Sequence, residues 1–142
     1  MSPRSNPDPK FVYKRGLQNP DSLTPEERMV YLIMEIETYM DMEGWDHFFT
    51  TDNMMCYYDE FKGSLELIGD ADSLEVIEDY ERHLARQGIP FYPAAIDAFL
   101  CDQDDAYFAN CRDWREDHNG FIETRWRKVA DYLRSQNIQL LA

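Results

Sequence analysis

The sequence is poor in cysteine, glycine and positive charge. Its three cysteines, Cys56, Cys101 and Cys111, are an odd number with no C-x-x-C spacing. That argues against a disulfide framework and for a reducing compartment. The six glycines build neither a dinucleotide fingerprint nor a phosphate-binding loop. The three histidines, His47, His83 and His118, are far apart, and there is no H-E-x-x-H or G-x-S-x-G. No catalytic residue, no metal ligand set and no cofactor is therefore expected. No apolar run approaches the roughly 18–20 residues of a membrane span. The start, M-S-P-R-S-N-P-D-P-K, has no apolar core of a secretory signal. A cytoplasmic protein that binds no membrane is expected.

Bases are the scarcest feature that matters. There are 14 against 28 acids, a net charge of −14. A direct nucleic-acid binder gains affinity by neutralising phosphates and is basic, so this chain is expected not to touch nucleic acid. Its partners are cations and basic protein surfaces. The charge is also uneven. Residues 35–105 hold 19 acids and only Lys62, Arg82 and Arg86, a net of −16, while each flank is close to neutral.

What is present is enough to fold. The 142 residues are 44% apolar and 14% aromatic, which suits one domain that buries roughly two thirds of its unfolded surface. Pro3, Pro7, Pro9 and Pro20 predict an extended arm over residues 1–23, with one domain over 24–142. Thr24-Pro25-Glu26-Glu27 is a helix start with a capping box. Met29, Ile33, Ile36 and Met40 give it one buried stripe, and Gly44 ends it. Asp52 or Asn53 starts a second long helix closed by Gly69. Asp72 with Glu75 reads as the capping box of a third, through about residue 87. A short helix near 94–101, one from about 104 to 117 with Phe108, Cys111 and Trp114 inward, and a last one marked by Ile122, Trp126, Val129 and Leu133 complete the chain. No segment alternates with period 2. The prediction is an all-α fold of about six or seven helices, with Trp45, Phe48, Phe49, Phe61, Leu65, Ile77, Leu84, Trp114 and Trp126 in its core.

The stretch D-A-D-S-L-E-V-I-E-D-Y-E, residues 70–81, has six acids in twelve residues and no base. Leu74, Ile77, Tyr80 and Leu84 share one helix face, which places Glu75, Glu78 and Asp79 in water beside Arg82. Such pairs contribute about 0.2–0.5 kcal/mol each, and the like-charged Glu75 and Asp79 cost a similar amount. Asp79 and His83 read as a surface pair. In C-D-Q-D-D, residues 101–105, the sixth place of a calcium loop is Tyr107 and the twelfth Asp113, where such a loop needs Gly and Glu. Asp104 instead reads as a helix cap.

Carboxylates one helical turn apart lie about 5–6 Å apart at Cβ, and duplex DNA carries about one charge per 1.7 Å of axis. A rigid acidic face can approximate that row. The expected contact set for a basic partner is Glu35, Asp41, Asp59, Glu66, Asp70, Asp72, Glu75, Glu78, Asp79, Asp102, Asp104 and Asp105. Competing readings are an immunity protein against a basic toxin and a metal-dependent hydrolase using clustered carboxylates.

The order of a capped helix, E-G-W-D-H-F-F (43–49), a helix ending L-E-L-I-G (65–69) and an acidic helix resembles a bacterial family of small, acidic, all-helical proteins. Their pattern is a turn like N-G-G-F-x-x-F-F and an I-G closing a later helix. Gly44 matches the second glycine, Trp45 the Phe, and Phe48 and Phe49 the aromatic pair. Met42 stands for the Asn and Glu43 for the first Gly. The resemblance covers about residues 24–100. The best-known members are dimeric DNA mimics that target DNA-binding regulators. The resemblance thus implies a non-enzymatic inhibitor, a homodimer, and a transcriptional regulator or nucleoid protein as partner.

Overall fold

A computed structural model describes residues 7–140, and among these the protein is all-helical. Ten α-helices run in order: α1 (Pro9–Gln18), α2 (Pro25–Met42), α3 (Trp45–Thr50), α4 (Asp52–Met55), α5 (Tyr58–Leu67), α6 (Ala71–Arg86), α7 (Pro93–Cys101), α8 (Asp105–Asn110), α9 (Trp114–Gly120) and α10 (Ile122–Ser135). Seven have seven residues or more; of the rest, α4 and α8 are short pieces that periodicity merges with α5 and α9, and α3 is the turn that carries Trp45, Phe48 and Phe49.

The N-terminal region differs from the extended arm expected over 1–23, of which residues 1–6 lie outside the described chain. Asp8 caps α1 through the Lys10 N–H, and Pro9 takes the first turn, where no donor is needed. No proline follows until Pro20. Val12 and Gly16 bury one side of α1 against α2. The helices meet at Gly16, where a β-carbon would stand 2.2 Å from the Tyr31 ring.

With α1 over it, α2 is central rather than a one-stripe surface helix. It packs on α1, α3, α5 and α9 and buries Met29, Val30, Tyr31, Leu32, Ile33, Ile36 and Met40. Its start is the Thr24–Glu27 capping box. Gly44, at φ 101, turns the chain into α3. There Trp45, Phe48 and Phe49 enter the core as one helical turn, and Phe49 meets Tyr80 with ring centroids 4.6 Å apart.

Three boundaries depart from expectation. Cys56 and Tyr57 break the expected second helix into α4 and α5. The cap of α6 is Asp70, not Asp72: its carboxylate takes the Ser73 N–H at 3.1 Å and the Ser73 hydroxyl at 2.7 Å. The expected 104–117 helix is split at 111–113, because Asp113 caps a new start by accepting from the Glu116 N–H. Phe108 thereby turns outward. Trp126 is half-buried, its indole N–H donating to Glu37 Oε1 at 2.8 Å.

Candidate functional site

The twelve acids fall into three groups. Asp70 is fully buried as the α6 cap, so it is removed from the contact set: its charge is spent on the amino end of its own helix. Glu35 is half-buried beside Tyr13, with Oε2 out of reach of solvent.

A second group works inside the fold. Glu75 and Asp79 do not simply face water. Arg112, from the turn before α9, contacts Glu75 at 3.0 Å, Asp79 at 3.2 Å and Asp117 at 2.7 Å. Arg82 lies 3.7 Å from both Glu75 and Asp79. The Trp114 indole also donates to Asp79 at 2.9 Å. Burial pushes the Asp79 carboxyl up, but the Trp114 and Arg112 bonds overcome it and hold it below the usual carboxylate range. The like-charged pair is thus a clamp for α9. Nothing within α6 itself announces Arg112, which lies 33 residues beyond Asp79 in the chain. Asp79 does not pair with His83, whose Nε2 lies 2.8 Å from the Tyr107 hydroxyl.

The third group remains at the surface. Asp59 and Glu66 on α5, Asp72 on α6, and Asp102, Asp104 and Asp105 at the α7–α8 turn are exposed and make no ion pair with a described cation. Asp104 caps α8 through the Tyr107 N–H at 2.9 Å while staying in solvent. Glu78 is half-buried without a cation. Asp41, at the end of α2, is exposed; its carbonyl takes a bond from Arg115, and its carboxylate is 3.9 Å from the same guanidinium. Among the described residues, no three His, Cys, Asp or Glu side chains are placed to hold a metal ion, and no helix is long and apolar enough to cross a membrane.

A protein-family model described as DMP19-like protein matches residues 21–136, most of the chain. The chain belongs to this family. The match is consistent with the resemblance to a DNA-mimic family carried by the E-G-W-D-H-F-F turn and the acidic helix. No curated protein and no solved structure matches the chain. The DMP19-like match spans α2 to α10 and so includes every acid of the expected contact set; α1 lies ahead of it.

Two features escaped the sequence reading. Arg125 is fully buried, its Nε 2.6 Å from Glu37 and its Nη1 donating to the Ser73 hydroxyl and the His118 carbonyl. Burial raises the Glu37 carboxyl, and Arg125 and Trp126 offset only part of that. The available signal was a base at the Ile122, Trp126, Val129 face of α10. The second is an open cleft of about 550 Å³ between the Gly44 turn and α8–α9, lined by Trp45, Asp46, Tyr107 and Trp114. Its residues lie in three separate segments that no local pattern joins.

Proposed function

We propose that the protein is a non-enzymatic DNA mimic. It presents carboxylates where a basic DNA-binding protein, a transcriptional regulator or nucleoid protein, receives phosphates, and thereby blocks that protein's DNA site. One observation carries the reading in this DMP19-like chain. After folding has used the acids it needs, Asp59, Glu66, Asp72, Asp102, Asp104 and Asp105 remain exposed and uncompensated. Asp104 caps α8, and Asp59, Asp72 and Asp105 stand in first helical turns, but no cation offsets their charge and self-repulsion opposes the surplus. A basic protein surface gains from meeting them, and exposed Lys and Arg that fit phosphates also fit carboxylates. The reading includes a homodimer that acts in the cytoplasm.

The test is a competition titration. A DNA-binding protein retained on the immobilised chain is titrated with labelled duplex in the presence of this protein. Release of the duplex in proportion to added protein supports mimicry. A ternary complex, with both ligands bound at undiminished affinity, excludes it. The variants that suit this test are Asp59→Asn, Glu66→Gln and Asp72→Asn together. Reversal of Glu75 and Asp79 would instead break the clamp on Arg112.

A further inference from the structure

Asp46 is a carboxylate that the fold encloses without an ion-pair partner among the described cations. It is half-buried at the cleft and accepts from the Tyr80 hydroxyl at 3.2 Å on Oδ1. Burial raises its pKa above the usual carboxylate range, and the Tyr80 bond and His83 only partly offset this. Around it stand aromatic rings. Trp45 and Trp114 line the same cleft with Tyr107, and each indole meets the Tyr80 ring, at 5.5 and 4.9 Å. Trp45 and Trp114 are themselves largely enclosed, at 5% and 7% exposed, so the half-buried Tyr107 is the more open ring. A carboxylate beside it attracts a cation by charge and by the ring quadrupole.

The resident cations do not fill this role. Arg112 is held by Glu75, Asp79 and Asp117, and Arg115 by Asp41. His83 is biased to its neutral form by burial, and Arg86 adds to this. Glu43 and Asp113 add negative charge at the rim. Asp113 caps the amino end of α9, which removes part of that end's appeal to an anion.

We propose that this cleft receives one arginine side chain of the basic partner, with the guanidinium on Asp46 and against the Tyr107 ring. A planar fork suits a carboxylate bidentately and stacks on aromatic faces, which an ammonium does not. At about 550 Å³ the cleft is wide enough to admit part of the segment that carries the arginine. The identity of the partner rests on the mimic reading; the cation site does not.

The test uses the protein alone, followed by NMR of its indole and tyrosine signals, with N-acetyl-arginine methylamide as probe. Saturable shifts at Trp45, Trp114 and Tyr107, with a midpoint on the order of millimolar, are expected. The neutral citrulline analogue produces none. Asp46→Asn keeps the shape and the Tyr80 bond, and weakens the probe about tenfold or more, as loss of a charged hydrogen-bond partner does. Equal shifts from citrulline, the same signals moved by inorganic phosphate, or no shift up to about 100 mM probe overturn the proposal. The citrulline comparison is made on the unaltered protein and decides the matter even if the variant fails to fold. The mimic reading stands or falls on displacement of duplex DNA, so either idea can fail without the other.

Discussion

The buried polar residues, rather than the exposed acids, carry the sharpest stability consequences. Arg125 is fully buried and Glu37, its ion-pair partner, largely so. Arg125→Ala strands Glu37 and should cost about 3–5 kcal/mol, read as a drop in urea midpoint. Arg125→Met with Glu37→Leu should recover much of that loss; a double variant as unstable as the single would mean that Ser73 and the His118 carbonyl matter more than the ion pair. His118 is fully buried between Trp45 and Phe61, without a protein partner on either ring nitrogen. Burial and then Arg125 push its pKa down from 6.5 to about 3. The unfolded chain therefore binds the extra proton between these values. The stabilisation is complete above pH 6.5 and is lost as pH falls toward 3. From pH 7 to pH 5 this one group should remove about 2 kcal/mol. The wild type should lose that much more than His118→Phe over the same interval; equal losses would show that His118 is reachable by protons in the folded state. Neither residue was legible beforehand. The spacing that reveals an apolar face does not reveal which polar residue the neighbouring helices will enclose.

At the scale of elements, local chemistry was readable and long-range joins were not. The Thr24 box, the Asp104 cap and the Trp45, Phe48, Phe49 turn rest on neighbours within four residues, and all three form as expected. The start of α6 was misplaced by two residues because Asp70 and Asp72 both suit a cap, and burial of Ser73 decides between them. Helix α1 was missed because flanking prolines dominated the reading, although ten residues between Pro9 and Pro20 are free of them. Its docking depends on Gly16. Gly16→Ala would drive a methyl into the Tyr31 ring and should cost about 1–3 kcal/mol, in the range of overpacked sites. The effect should be local: amides of residues 9–18 should exchange faster with solvent deuterium while those of α2 and α6 keep their protection. Faster exchange throughout would mean that α1 is part of the cooperative core. In the same way Asp79→Ala removes one of the three acids on Arg112 and the acceptor of the Trp114 indole, so α9 rather than α6 should loosen.

For the molecule as a whole, the −14 charge makes salt act in opposite directions on folding and on binding. The ion pairs at the surface are worth about 0–1 kcal/mol each, and residues 35–105 hold far more acids than bases to pair them. Net repulsion should therefore outweigh pairing. Raising NaCl from about 0.05 to 0.5 M shortens the screening length from roughly 14 to 4 Å, which weakens repulsion between exposed acids more than the short buried contacts at Arg125. The urea midpoint should rise with salt. Association with a basic partner depends on the same exposed acids and should weaken over the same range, chiefly through a slower association rate. The two measurements share one cause, so they constrain each other. A midpoint that falls with salt would show that the acids are compensated within the fold, and the surplus left for a partner would then be too small to imitate a row of phosphates. A rising midpoint with salt-insensitive binding would keep the repulsion but move recognition away from the carboxylates, to apolar contacts such as those offered by Met42 and Leu67, which stand 75% and 57% exposed.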